Sequence, residues 1–273
     1  MTINDADFSR LVRFVRERYG INLEHKRQLI DARLAFDISR RGYRDFTSYV
    51  SEVVTDPNGE ECRHMVNRLS TNYTFFFREP DSIEKLCGPV LADFCSHGRE
   101  RIRIWSAACS SGQEAYSIAM ALTLLQRATG QPFSFEIVGT DINTETLATA
   151  ERGVYPEEEL AQIPARYRQF TLRRAGGVFE VAPEIRARVS WRYENLLSDD
   201  APAGYDVIFC RNVMIYFTPA LRRDMTKRLY AALRPGGYLF TGATESIDLE
   251  RKRFRYLSPA FYQRAEARDK EGT

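Results

Sequence analysis

Histidine is scarce in this 273-residue chain: there are three, at 25, 64 and 97. They lie far apart, with no partner at ligand spacing, so no metal site is expected. The five cysteines (62, 87, 95, 109 and 210) are odd in number, scattered and without a CxxC pair. That pattern gives no disulfide framework and reads as reduced thiols in a cytoplasmic protein. No run approaches ~18 apolar residues, so no direct membrane insertion is expected. The start MTINDADFSRL does not have the form of a signal peptide. A net charge of only +2 removes the bulk electrostatic case for a nucleic-acid or anionic-membrane binder. Repeats and low-complexity tracts are missing too.

What remains is a chain of 44% hydrophobic and 28% charged residues, enough for one large or two modest domains with a substantial core. Its organising stretch is IRIWSAACSSGQEAYSIAM (Ile102–Met120). It opens as an apolar strand, turns through small residues from Ala107 to Gly112, and leaves as a helix with Ala115, Ile118, Ala119 and Leu122 at helical spacing. Small residues let a ligand lie against the backbone, and the helix start directs free N–H groups at it. A plain tight βα turn reads the same way. A second strand, 135–142, contains Asp141 near its end, an acid suited to gripping ribose hydroxyls.

Residues 1–80 read as a helical domain. Asp5-Ala6-Asp7 offers capping candidates before Phe8, Leu11, Val12 and Val15. A second helix, 24–41, buries Ile30, Leu34 and Ile38, and further helices fall at 45–54 and 60–70. Lys26, Arg33 and Arg40 sit seven apart and drift only about 40° around that second helix, forming a basic ribbon. From Arg10 to Arg44 ten Lys/Arg face four Asp/Glu. Either this is a solvated helix face or it docks an acidic partner. The segment LSTNYTFFFREP (69–80) sets three phenylalanines beside Arg78, Asn72 and Thr74. An aromatic cluster is ordinarily core, but these polar neighbours then need partners at its edge.

A connecting helix (81–95, within a linker 81–100) leads to an α/β domain, 101–273. Strand 102–108, helix 113–128, strand 135–142 and helix 144–152 alternate in the βαβ manner. The pattern breaks at Tyr155. Roughly 165–190 reads as a small β insertion, with Ala175-Gly176-Gly177 at a hairpin tip. A strand, 206–210, apolar from Val207 onward, a helix, 221–233, a Leu233-Arg234-Pro235-Gly236-Gly237 turn, strand 238–242 and a final strand 256–264 complete the reading.

A strand, a small-residue loop and an acid near the end of strand two could serve a dinucleotide or S-adenosylmethionine. The loop has one glycine where GxGxxG is wanted, and Glu114 would repel phosphate. A cationic cofactor instead suits Glu114 and Asp141. That favours S-adenosylmethionine.

The chain resembles the chemotaxis receptor glutamate O-methyltransferases. The resemblance lies in TNYTFFFRE (71–79), SAACSSGQEAYS (106–117), GTDIN (139–143), NLL (195–197) and FCRNVMIYF (209–217), and spans nearly the whole chain. It implies an all-α N-terminal domain before a class I (Rossmann-like) methyltransferase domain with an inserted β subdomain. It also implies a cofactor shell of Asn72, Thr74, Arg78, Glu114, Asp141, Asn195, Leu196, Asn212 and Val213, with Arg78 and Tyr216 nearest the reacting groups. The expected reaction esterifies glutamates on cytoplasmic coiled-coil helices of methyl-accepting chemotaxis receptors. The products are glutamate methyl esters and S-adenosylhomocysteine. Members that grip a receptor's C-terminal tail carry a longer, glycine-richer hairpin loop, so tail-independent action by a monomer is expected, with the Lys26, Arg33 and Arg40 ribbon as the docking face. A nucleic-acid amino-methyltransferase, the RNA methyltransferase alternative included, would place Asn/Asp-Pro-Pro-aromatic where Arg211-Asn212-Val213-Met214 stands, and a cytosine C5 enzyme needs Pro-Cys where Phe209-Cys210 stands. A non-catalytic S-adenosylmethionine-sensing scaffold remains open on sequence alone.

Overall fold

The computed structural model describes residues 1–198, 203–247 and 253–265. Four helices come first: α1 (Asp5–Tyr19), α2 (Arg27–Arg40), α3 (Phe46–Thr55) and α4 (Glu60–Leu69). The N-cap of α1 is Asn4, whose side chain accepts from the Asp7 N–H at 2.9 Å, so the acids lie in the first turn and complement the helix dipole. Gly20, at φ 73°, closes the same helix. Leu11, Val15, Ile30, Leu34, Tyr49, Val53, Met65 and Leu69 form a core of their own.

The connecting stretch is α5 (Asp81–Lys85), a π-turn over Leu86–Val90 and α6 (Leu91–Ser96). The widened turn sits at Pro89, which has no N–H to give to a regular helical bond. The second domain then runs β1 (Arg101–Ala107), α7 (Gln113–Thr129), β2 (Ser134–Asp141), α8 (Thr144–Arg152), β3 (Val154–Pro156), two 3-10 turns, β4 (Thr171–Arg174), β5 (Val178–Val181), α9 (Pro183–Arg186), β6 (Val189–Tyr193), β7 (Tyr205–Cys210), α10 (Pro219–Ala232), β8 (Leu233–Thr241), β9 (Phe254–Ser258) and β10 (Phe261–Arg264). The large sheet has the order β6-β2-β1-β7-β8-β10-β9, parallel from β6 through β8, with β10 antiparallel to both its neighbours. The fold is Rossmann-like. Strands leave β1 first toward β2 and β6 and then return to its other side as β7, so the crevice between β1 and β7 is where a ligand belongs.

Several boundaries differ from the sequence reading, among them the expected Leu233–Gly237 turn, which lies inside β8. The small sheet β3-β5-β4 begins at Val154, well before 165, and Val189–Tyr193 leaves the insertion to pair with β2 as an edge strand. That pairing is non-local, so hairpin-like spacing could not reveal it. The expected single strand 256–264 is a hairpin, with Pro259 and Ala260 (φ 59°) in its turn. The expected domain end at Thr273 lies outside the described residues.

The core reading of the phenylalanine cluster holds for Phe76 and Phe77. Phe76 packs against Tyr155 and Phe179, and Phe77 stacks on Tyr167 at 4.4 Å, so the 69–80 segment clamps the insertion to the sheet. The helical domain is fixed beside it. Asn143 Nδ2 donates to the Asn67 carbonyl, and Asn67 Oδ1 accepts from the Thr144 N–H at 2.9 Å. A Cβ on Gly20 would come within 2.8 Å of Phe217, so the α1 end and the β7 side of the sheet touch through a glycine.

Candidate active site

A cleft of about 1010 Å³, its open mouth included, lies above the carboxyl ends of β1, β2, β6 and β7. Its walls are the 70–78 segment, the Ala108–Ser110 loop, Asp141-Ile142, Glu194–Leu196 and Arg211–Val213, with Tyr216 and Phe217 beyond. Every cofactor and catalytic residue expected from the sequence lines it: Asn72, Thr74, Arg78, Glu114, Asp141, Asn195, Leu196, Asn212, Val213 and Tyr216.

The loop after β1 reaches this shape with Ala108 and Ser110 in the left-handed region (φ 59° and 52°) followed by Gly112 at φ 92°. Such backbone persists only where surroundings hold it. Asp141 is one holder: its Oδ2 accepts from the Ser110 N–H and its Oδ1 from the Asn143 N–H, both at 2.8 Å. Burial pushes the Asp141 carboxyl up, and the backbone donors at Asn143, Ser110 and Ile142 pull it part of the way back. Ser110 Oγ donates to the Asn72 carbonyl at 2.9 Å and joins the 70–78 segment to the loop.

Glu114 does not face the cleft as a free counter-charge. Its Oε1 accepts from Ser106 Oγ at 2.7 Å and its Oε2 from Arg211 Nη1 at 3.0 Å. Arg211 is one residue that sequence reasoning missed. Its side chain is 2% exposed and also reaches the Arg78 carbonyl and the Glu79 carboxylate, each at 2.9 Å. The Arg211 Nε is buried with no partner among the described residues. Burial pushes Glu79 up, yet hydrogen bonds and charge from Arg211, with Asn212 and the Ala243 N–H, bring it below its ordinary value. Phe77 and Glu79, on either side of Arg78, both have positive φ (56° and 51°), so the backbone carrying Arg78 is constrained at each flank.

A second unforeseen carboxylate shapes the loop after β7. Glu245 accepts from the N–H groups of Asn212 and Gly242 at 2.8 Å and of Ile215 at 3.1 Å. It holds Asn212 at φ 60° and closes the turn that presents Val213 and Tyr216. Glu194 also lines the cleft. Its burial raises its pKa although Arg192 donates to it at 2.6 Å. No sequence signal marks these residues, because an isolated acid in a loop looks solvated until the tertiary fold buries it.

Two expected contacts carry other duties. Asn195 Nδ2 donates to the Arg18 carbonyl at 2.7 Å and its Oδ1 accepts from the Leu197 N–H, so its amide joins β6 to the end of α1. Arg33 is not available as a docking group in the way Lys26 and Arg40 are. Its guanidinium donates to the carbonyls of Arg68 (3.1 Å) and Ser70 (2.9 Å), satisfying the carboxyl end of α4, whereas Lys26 and Arg40 are exposed. The histidines line no part of the cleft, and among the described residues no cluster of His, Cys, Asp or Glu could hold a metal.

The residues fit S-adenosylmethionine. Asp141 keeps acceptor lone pairs for ribose hydroxyls, and Ile142, Leu196 and Val213 give an apolar wall for a purine ring.

Two family models match the chain, in the same order as the two domains: "CheR methyltransferase, all-alpha domain" over residues 6–70 and "CheR methyltransferase, SAM binding domain" over 72–262. Chemotaxis protein methyltransferase 1 of Pseudomonas aeruginosa is 36% identical over 256 residues, 91% of this chain and 93% of that one. Chemotaxis protein methyltransferase Cher2 of Pseudomonas putida is 35% identical over 255 residues, again 91% and 93%. Chemotaxis protein methyltransferase of Escherichia coli is 34% identical over 269 residues, 96% of this chain and 92% of that one.

Proposed function

This chain belongs to the CheR methyltransferase family, and on that premise we propose that it is a monomeric enzyme that methylates glutamate side chains on the cytoplasmic helices of chemoreceptors. The products are glutamate methyl esters and S-adenosylhomocysteine. S-adenosylmethionine supplies a methyl group on a sulfonium, ready for in-line attack by a nucleophile. The observation that carries the reading is the cleft's charge layout: buried acids Asp141 and Glu194 at the strand ends and a cation, Arg78, on the loop that the N-terminal side contributes.

An acceptor glutamate, with a solution pKa of about 4.3, is already an anion at neutral pH. No general base is needed. Arg78 Nη1 donates to the Tyr73 carbonyl at 3.0 Å, which fixes the guanidinium and leaves its other N–H groups to orient a carboxylate. Tyr216, set on a short 3-10 turn beside Arg78's cleft wall, is an orienting group of the same kind. The acids keep the cleft favourable to a cation, and its apolar wall keeps water from separating the two charges. Alignment alone can then remove several kcal/mol of the barrier, since effective molarities for well-placed reactants are worth up to ~7–11 kcal/mol.

The hairpin loop between β4 and β5 has three residues, with Arg174 directly opposite Val178. A loop this short supports recognition without receptor-tail tethering, through the exposed cations of the helical domain. The test is transfer of labelled methyl from S-adenosylmethionine to a receptor cytoplasmic fragment, with RNA as the competing acceptor. A methyl ester is released as methanol in alkali. Base-stable label on the receptor, or label on RNA alone, sinks the proposal.

A further inference from the structure

Of the large exposed apolar side chains among the described residues, Tyr73 lines the cleft and Ile215 directly precedes Tyr216, which also lines it. Tyr73 is 75% exposed and Ile215 is 46% exposed. They come from different loops: Tyr73 from the segment that carries Arg78, Ile215 from the turn that carries Tyr216. Neither is loosely held. The Tyr73 ring lies 5.9 Å from the Phe75 ring, the Arg78 guanidinium sits 5.7 Å from it, and the Tyr73 carbonyl takes the Arg78 hydrogen bond. The Ile215 N–H is fixed by Glu245 at 3.1 Å. An exposed ring held by its neighbours, and an aliphatic side chain on a fixed backbone, lose less entropy when covered than groups on mobile loops, which is how interface anchors behave.

Resting on the proposed reading of this cleft, we infer that Tyr73 and Ile215 form a lip that seats the acceptor helix. The occupant is an amphipathic helix whose glutamate enters toward Arg78 while an apolar side chain one turn away packs on the lip. Residues three and four apart share a helix face, so a glutamate lowered into the cleft brings those neighbours to its rim. Charge complementarity at Arg78 fixes the acid, and the lip tests what stands beside it. Glutamates with charged neighbours one turn away are thereby disfavoured, so the lip selects among acidic positions that Arg78 alone would accept.

The test uses a receptor fragment that the wild-type enzyme methylates; failure at that step counts against the function, not the lip. Tyr73→Ala and Ile215→Ser should each raise KM for the fragment at least fivefold, with the S-adenosylmethionine Kd unchanged within twofold and the melting temperature preserved. Tyr73→Phe should restore KM, since the ring and not the hydroxyl does the packing. Replacing the apolar receptor residue one turn from the acceptor should raise the wild-type KM and add little to Tyr73→Ala, because contacting residues are not additive. An unchanged KM in both folded variants, or a loss that tracks weaker cofactor binding, overturns the inference.

Discussion

Arg211 and Glu114 meet at 3.0 Å in the cleft wall, tying the loop after β7 to the first turn of α7. Because Arg211 also holds Glu79 and the Arg78 carbonyl, one buried cation sets the distance between the cofactor loop and the residue expected to orient the acceptor. Removing it leaves Glu114 and the partly exposed Glu79 without their cation, and breaking a fully buried pair costs about 3–5 kcal/mol, an upper bound here. Arg211→Met should therefore unfold at markedly lower denaturant. Arg211→Lys should keep the charge, lose the fork geometry and fold nearly as well, yet lose activity. Denaturant midpoints and kcat for both variants decide the matter, and full activity in Arg211→Lys removes the positioning role.

The same network makes an acid-stability prediction. Glu79 titrates below its ordinary value in the folded protein, so it favours folding above its unfolded pKa, and that contribution is lost as pH falls through the lower folded value. In Glu79→Gln the decline of stability with acid should be shallower than in wild type below about pH 4.5, the region where glutamates titrate. Melting curves from pH 3 to 6 compare the two. Parallel curves exclude the coupling.

Asp141 moves the other way. Burial raises it, so on acidification it takes up a proton before an ordinary aspartate does. A group raised in this way does not lose folding stability in acid, but it does lose acceptor strength toward ribose hydroxyls. The affinity for S-adenosylmethionine should fall as pH drops from 7 toward 4.5, and Asp141→Asn should be weaker by about 1.5–3 kcal/mol at neutral pH and flatter with pH. Asparagine is the apt change because its Oδ1 can still serve one of the two backbone N–H groups that set the 108–112 loop, whereas alanine serves neither. Calorimetry that finds equal affinity in the folded variant separates Asp141 from the cofactor.

With an acceptor ionised throughout, single-turnover methyl transfer should be nearly flat from pH 6 to 8.5, a window well above the ~4.3 of a glutamate. A tenfold rise per pH unit there would point to a catalytic base and overturn the base-free mechanism.

The legible part of this molecule was its periodic part. Apolar alternation and the small-residue turn located β1, the 107–112 loop and α7, and the acid near the end of β2 pointed to the crevice that β1 and β7 enclose. The illegible part was buried charge. Arg211, Glu79 and Glu245 look like surface residues in sequence, and only the approach of loops more than a hundred residues apart (Glu79 and Arg211) or some thirty apart (Asn212 and Glu245) buries Arg211 and Glu245 and partly covers Glu79. Side-chain direction was hidden for the same reason. Spacing put Lys26, Arg33 and Arg40 on one ribbon, but it could not say that the end of α4 lies where Arg33 points.

That difference reshapes the docking test. Arg33→Glu would set a carboxylate against the α4 carbonyls, so a loss of activity would report a damaged helix end. Lys26 and Arg40 are exposed, and reversing them leaves that end intact. If the helical domain steers onto acidic receptor helices, Lys26→Glu with Arg40→Glu should leave S-adenosylmethionine affinity unchanged and cut kcat/KM for receptor at least tenfold, about 1.4 kcal/mol. Added salt should slow the wild type more than the double variant, since a Debye length near 8 Å already screens such charges at physiological ionic strength. Deleting the receptor's last residues should change little, because the three-residue β4–β5 loop offers a tail little to hold. Normal methylation by the double variant, or loss of methylation on tail deletion, moves recognition to another surface.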